Sequence, residues 1–251
     1  MAIKSSSPLV IGGTGGSGTR VFARVAICAG VDMGTNLNES LDAMSFERFW
    51  DLWINRYLAR SSAPLSAHER AAMSLQLDQC VEEHRSANPT ADRWGLKIGP
   101  MMFVLPFLDE KFPEMKFIHV IRDGRDMAFS SNQNQLRRWG HAFLEDRQSR
   151  LSLPEQAILM WSAANLQVAH YGERMGKRYL RIQFEKLCLQ PEASLPEIFT
   201  FLDASDQDLG PAAAEIIPPK SIARWKHQEE SIRQSINNYG KAALRRFGYI
   251  S

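Results

Sequence analysis

An apolar run, Pro8-Leu9-Val10-Ile11, passes directly into Gly12-Gly13-Thr14-Gly15-Gly16-Ser17-Gly18, and Thr19 then opens an apolar pattern at helical spacing (Val21, Phe22, Val25, Ala26, Ala29) that Gly30 ends. A strand, a glycine loop and a helix start in that order constrain the fold more than any other stretch of the chain. Glycine permits positive φ and a close backbone approach to a ligand, and the unpaired amides and dipole of a helix N-terminus favour an anion. Five glycines within seven residues exceed what a ligand-free turn needs, so the loop predicts a bound phosphate or sulfate.

Spacing alone admits more than one nucleotide. Gly13 to Gly18 matches GxGxxG, and Asp32 follows at roughly the 20-residue distance of a ribose-binding acid. This keeps an NAD(P)-dependent oxidoreductase open, although Ala29 to Gly34 is a short, glycine-flanked candidate for the strand that such a site requires. The same glycines have the spacing of GxxxxGK[ST], but Thr19-Arg20 stands where the phosphate-binding Lys and the magnesium-binding hydroxyl belong. A non-catalytic nucleotide-binding module is a third reading.

Further along, residues 41–60 and 67–85 read as helices around Ser61-Ser62-Ala63-Pro64. Residues 94–98 and 116–121 read as strands, 154–175 as a long helix with Pro in its first turn, and 178–184 as another strand. Strands alternating with helices predict one α/β domain over residues 1–251, with a mostly parallel sheet, helices on both faces and ligand beyond the carboxyl ends of the strands. At 251 residues and 44% hydrophobic content a full core is within reach. A net charge of +2 gives no reason to expect nucleic acid or an anionic membrane as partner. Cys28, Cys80 and Cys188 are far apart and lack metal-ligand spacing. Met1 to Pro8 carries no long apolar segment and no apolar run approaches about 18 residues, so the expectation is a cytoplasmic protein without stable membrane insertion. The stretch 210–219 reads as a surface loop.

The discriminating segment is Lys116-Phe-Ile-His-Val-Ile-Arg122-Asp-Gly-Arg-Asp-Met-Ala-Phe-Ser130, a strand that ends in Arg and leads into a helix carrying Ser. An Arg fork and a hydroxyl at this separation can grip a second phosphate. The segment resembles the 3'-phosphate motif of sulfotransferases that use 3'-phosphoadenosine-5'-phosphosulfate (PAPS). Ser17-Gly18-Thr19 is similar to the same family's 5'-phosphosulfate loop, with Gly16 at its usual Lys or Arg. Tyr179 to Leu187 followed by Pro191, and Arg224-Trp225-Lys226 followed by Phe247-Gly-Tyr-Ile, resemble further blocks of bacterial and Golgi-type members.

The resemblance implies a P-loop-like three-layer α/β/α domain with residues 40–93 as a helical acceptor-side insertion. It implies PAPS as cosubstrate without a metal, and an acceptor hydroxyl on a glycan, a lipid, a tyrosyl group or a small molecule. Gly15, Gly16, Ser17, Gly18, Thr19 and Arg20 would hold the 5'-phosphosulfate, Arg122 and Ser130 the 3'-phosphate, and Phe184 would lie near adenine. Arg20 or Lys97 would face the sulfuryl group. Cytosolic members carry a His where this chain has Gly99, whereas Golgi-type and related bacterial members use a Glu shortly after the first helix; the resemblance therefore implies Glu39 as base, with Asp42 second and His141 as a further alternative.

Each residue also has an ordinary reading. Glu39 can be an acid at a helix start, Arg122 can pair with Asp123 or Asp126, and Lys97 can be solvated. His119 alternates within an apolar strand and is expected in the core; Trp50, Trp53 and Tyr57, at helical spacing, fit either the core or the lining of a sugar or phenol pocket. Nothing in the sequence sets the oligomeric state.

Overall fold

The computed structural model describes residues 7–251. Most of the Met1 to Pro8 stretch therefore lies outside the described residues. Four parallel strands form the sheet in the order β2-β1-β3-β4: β1 is Leu9–Gly13, β2 Gly95–Lys97, β3 Lys116–Ile121 and β4 Tyr179–Gln183. Successive strand residues point to opposite faces, and the core divides accordingly. Leu9 and Ile11 of β1 and Ile118 and Val120 of β3 pack against α1 (Thr19–Cys28) and later helices. Val10, Phe117 and Ile121 face the other layer. The result is a three-layer α/β/α domain of P-loop-like type, as the sequence predicts.

The second layer holds α2 (Glu47–Leu58), α3 (Ala67–His84), α4 (Leu105–Lys111), α5 (Gly124–Ala128), α6 (Asn134–Trp139) and α7 (Leu153–Gly172). Pro154 lies in the first turn of α7, and the Glu155 carboxylate accepts the Ser152 amide at 2.9 Å, two features that fix a helix start. Behind β4 come α8 (Phe184–Leu189), α9 (Pro191–Phe201) and α10 (Leu209–Ala214), and α11 (Glu230–Arg246) crosses back over α7.

Two boundaries differ from the sequence reading. The helix expected from residue 41 starts at Glu47, because Leu41 takes φ +61° and the Asn38 side-chain oxygen accepts the amides of Ser40 and Asp42, both at 2.9 Å. An Asn-centred turn competes here with helix. The helix expected over 154–175 is α-helical only to Gly172, and Gly176 at φ +60° turns the chain into β4.

His119 is fully buried between the Tyr179 hydroxyl (2.8 Å) and the Asn165 side-chain oxygen (2.9 Å), and burial pushes its pKa down to about 3. Tyr57 is buried, and Trp53 donates to Gln76 at 2.8 Å between α2 and α3. Trp50 is half-buried and faces a cleft instead.

Candidate nucleotide and sulfuryl site

The sheet order places β1 between β2 and β3, so the chain leaves β1 on one side and returns on the other. A crevice opens at the carboxyl ends of strands where the order reverses in this way. Gly13 pairs with Val120, so the glycine loop and Arg122 emerge side by side at that crevice.

Within the loop, Gly16 and Gly18 take φ +87° and +85°, and Gly18 sits at the N-terminus of α1 with no side-chain cap. The first amides of α1 are thereby left open to a ligand. A side-chain carbon at Gly16 would lie 2.9 Å from Ser130 Oγ and 3.2 Å from Met127. The positive φ strains any other side chain there, which is the physical reason for the glycine at this position. At Gly18 such a carbon would lie 2.2 Å from the Phe184 ring.

Arg122 is 4% exposed; its Nη1 donates to the Gly16 carbonyl at 3.2 Å and its Nη2 to Ser221 Oγ and O at 2.9 and 3.0 Å. The guanidinium lies over the Phe184 ring at 4.9 Å. Asp126 approaches at 3.9 Å but accepts the amides of Ala223 and Trp225 at 2.7 and 3.2 Å, and burial raises its pKa. Arg224 donates to the Phe129 and Ser221 carbonyls, and burial and the nearby Arg122 charge lower its pKa. Two guanidiniums crowded beside one hydroxyl-bearing turn favour a multiply charged anion.

A cleft of about 490 Å³ runs from the loop toward α2 and α6. Lys97, at the end of β2, is 2% exposed and donates to Asp42 Oδ1 at 2.7 Å. Burial lowers its pKa, while Asp42 opposes that shift. Asn38 donates to the other Asp42 oxygen at 3.3 Å. Arg20, Asp42, Lys97 and Trp50 all line this cleft.

The structure thus brings Gly16, Ser130 and Arg122 together at one point, with Phe184 beneath Gly18. Lys97 and Arg20 share the cleft with the loop, and Lys97 is paired rather than solvated. Glu39 stands apart: it is exposed and absent from the cleft wall, and Arg20 reaches only its backbone oxygen, at 3.5 Å. His141 is likewise exposed and off the cleft. The turn that delays α2 aims Asp42, rather than Glu39, inward. Of the segment 40–93, Ser40, Asp42, Met44, Glu47 and Trp50 reach the cleft, while α3 lies behind α2. Sequence reading gave Asp126 only as an ordinary partner of Arg122 and missed Ser221, which follows the stretch 210–219 read as a surface loop, where the first residues are in fact part of α10; it also missed Gln135.

The oxidoreductase reading has no structural counterpart. Asp32 makes only an isolated bridge with Trp94, and its carboxylate is used in accepting the Gly34 amide at 2.9 Å. Among the described residues no cluster of His, Cys, Asp and Glu could hold a metal ion, and no helix is long and apolar enough to cross a membrane.

Fold and loop define a nucleotide-binding α/β protein of P-loop-like type. The sulfotransferase family profile matches residues 32–208, more than half of the sequence, and the chain belongs to that family. Two solved structures are similar in fold. Sulfotransferase STF1 from Mycobacterium tuberculosis H37Rv has 11% identity and a TM-score of 0.53, over 94% of this chain and 77% of that one. The sulfotransferase domain from the curacin biosynthetic pathway has 13% identity and a TM-score of 0.51, over 92% of this chain and 96% of that one. No curated protein matches the sequence.

Proposed function

We propose that this transferase moves a sulfuryl group from PAPS to an acceptor hydroxyl. The observation that carries the reading is the meeting of Arg122 and Ser130 at Gly16, beside the glycine loop at the switch point of the sheet. The polar atoms fit such a ligand: Ser17 Oγ and Arg122 Nε are buried without protein partners, and buried polar groups normally have them. Gly15 to Arg20 would hold the 5'-phosphosulfate; Arg122 and Ser130, with Arg224 beside them, would hold the 3'-phosphate.

PAPS supplies an activated sulfur. The acceptor oxygen bonds to that sulfur as the bond to the bridging phosphate oxygen breaks, the electron pair leaving with the phosphate. Asp42 takes the hydroxyl proton, since it is the carboxylate that Lys97 and Asn38 fix in the cleft. Charge building on the sulfuryl oxygens is met by positioned donors, which stabilise it without reorganisation. The acceptor enters between the loop and Trp50, and a glycan, lipid, tyrosyl or small-molecule hydroxyl meets this requirement.

Calorimetry with adenosine 3',5'-bisphosphate and 5'-AMP tests the assignment. Arg122→Ala is expected to weaken the bisphosphate about 10- to 100-fold, the worth of one or two charge-assisted hydrogen bonds, and to leave 5'-AMP within about threefold. Equal binding of the two nucleotides by the wild-type protein would remove the 3'-phosphate site. Incubation with PAPS and acceptor libraries, read as the added mass of sulfate, tests the transfer itself.

A further inference from the structure

Gln135 is 8% exposed, and its amide is held at one end: Nε2 donates to the Gly13 carbonyl at 3.3 Å, at the root of the glycine loop. A side-chain carbon at Gly99 would lie 3.0 Å from this same nitrogen and 2.8 Å from the Gly13 oxygen. Gln135 therefore occupies the space that any side chain at position 99 would enter, and Gly99 and Gln135 both line the cleft.

The other end of the amide has no protein partner. Gln135 Oε1, Thr14 Oγ1 and Trp161 Nε1 are all buried without protein partners. Their residues share the wall of a second cavity of about 30 Å³ between the loop and α7, room for about one water molecule. A carbonyl oxygen is an acceptor only, so the bond to Gly13 fixes which end of the amide is the nitrogen. Nε2 carries two hydrogens, one of them committed to Gly13, and the nitrogen stands 3.0 Å from the position of a Gly99 side-chain carbon on the cleft wall.

Resting on the PAPS reading, we propose that Gln135 is a catalytic residue, an uncharged donor that hydrogen-bonds an oxygen of the transferring sulfuryl group. Such a donor would act beside Arg20, which also lines the cleft. Gly16 carries no side chain, and the Lys97 ammonium is drawn to Asp42. A preorganised neutral donor beside the loop stabilises the charge that develops on sulfuryl oxygen, and losing one donor of this kind costs about 10²- to 10³-fold in kcat.

The test compares Gln135→Met and Gln135→Glu with wild type in calorimetry and turnover, and follows the Gln135 side-chain amide by 15N NMR in the wild-type protein. Adenosine 3',5'-bisphosphate lacks the sulfuryl group, so its affinity is expected to stay within about twofold in Gln135→Met while kcat falls about 100-fold or more. In Gln135→Glu, the carboxylate opposing the sulfuryl group is expected to weaken PAPS more than the bisphosphate. The wild-type amide is expected to shift on adding PAPS and far less on adding the bisphosphate. A kcat loss below about tenfold, a parallel loss of bisphosphate affinity, or an equal amide response to both nucleotides would overturn the assignment and leave Gln135 as loop support. Failure of wild type to bind either nucleotide would overturn the PAPS reading beneath it.

Discussion

Asp42→Asn separates the energetics of the Lys97 pair from its role in the cleft. Lys97 is 2% exposed and Asp42 about a quarter exposed, with 2.7 Å between ammonium and carboxylate. Removing one partner of a buried pair typically costs about 3–5 kcal/mol, and the partial exposure of Asp42 places this case at about 2–4 kcal/mol. The stranded ammonium has one escape, to shed its proton. Starting from the ordinary lysine value of 10.5, that costs at most about 5 kcal/mol at pH 7.

The escape makes the loss depend on pH. Burial already lowers the Lys97 pKa and Asp42 holds it up, so in the variant it falls further below the unfolded value. Between those two values the unfolded chain binds the additional proton, and stability rises with pH by about 1.4 kcal/mol per unit. Urea unfolding of wild type, Asp42→Asn, Lys97→Met and the double variant, from pH 7 to pH 10, is the assay. The Asp42→Asn deficit is expected to shrink toward pH 10, and the double variant to recover much of it at pH 7. A deficit unchanged across the range, or a double variant as weak as Asp42→Asn alone, would refute the reasoning.

Gly18→Ala places a methyl on a residue at φ +85°, against Phe184. It is expected to cost about 2–4 kcal/mol, seen as a lowered Tm and partly restored by Phe184→Leu; a Tm equal to wild type would show that the loop relaxes freely. His119, with its pKa near 3 in the fold against about 6.5 unfolded, is protonated first in the unfolded chain. Stability is then expected to be level above about pH 6.5 and to fall below it by about 1.4 kcal/mol per unit. His119→Gln should remove that part of the acid loss, and an imidazole titrating near its ordinary value in folded-state NMR would contradict this.

What the sequence disclosed follows from how local each signal is. Strand and helix periodicity around Pro8–Ala29 and Lys116–Ile121 is written in neighbouring residues, so β1, α1 and β3 were legible, and the alternation implied the parallel sheet. Arg122 and Ser130 were legible as a spaced pair. Contacts between segments far apart in the chain were not: Arg122 with Ser221, Asp126 with the amides of Ala223 and Trp225, Gln135 with Gly13 and Gly99. Glu39 and Asp42 are three residues apart, and only the turn at Leu41 decides which faces the cleft.

The position of β1 between β2 and β3 has a consequence for synthesis. Leu9 pairs with Gly95 on one edge and Lys116 on the other, so a strand made early waits for both neighbours. With roughly ninety residues to be added before the first, at about 5–20 residues per second, it stays unpaired for several seconds. Val10 and Ile11, fully covered in the finished sheet, are exposed through that interval. Nascent chains halted between β1 and β2 are therefore the species that a chaperone would be expected to hold.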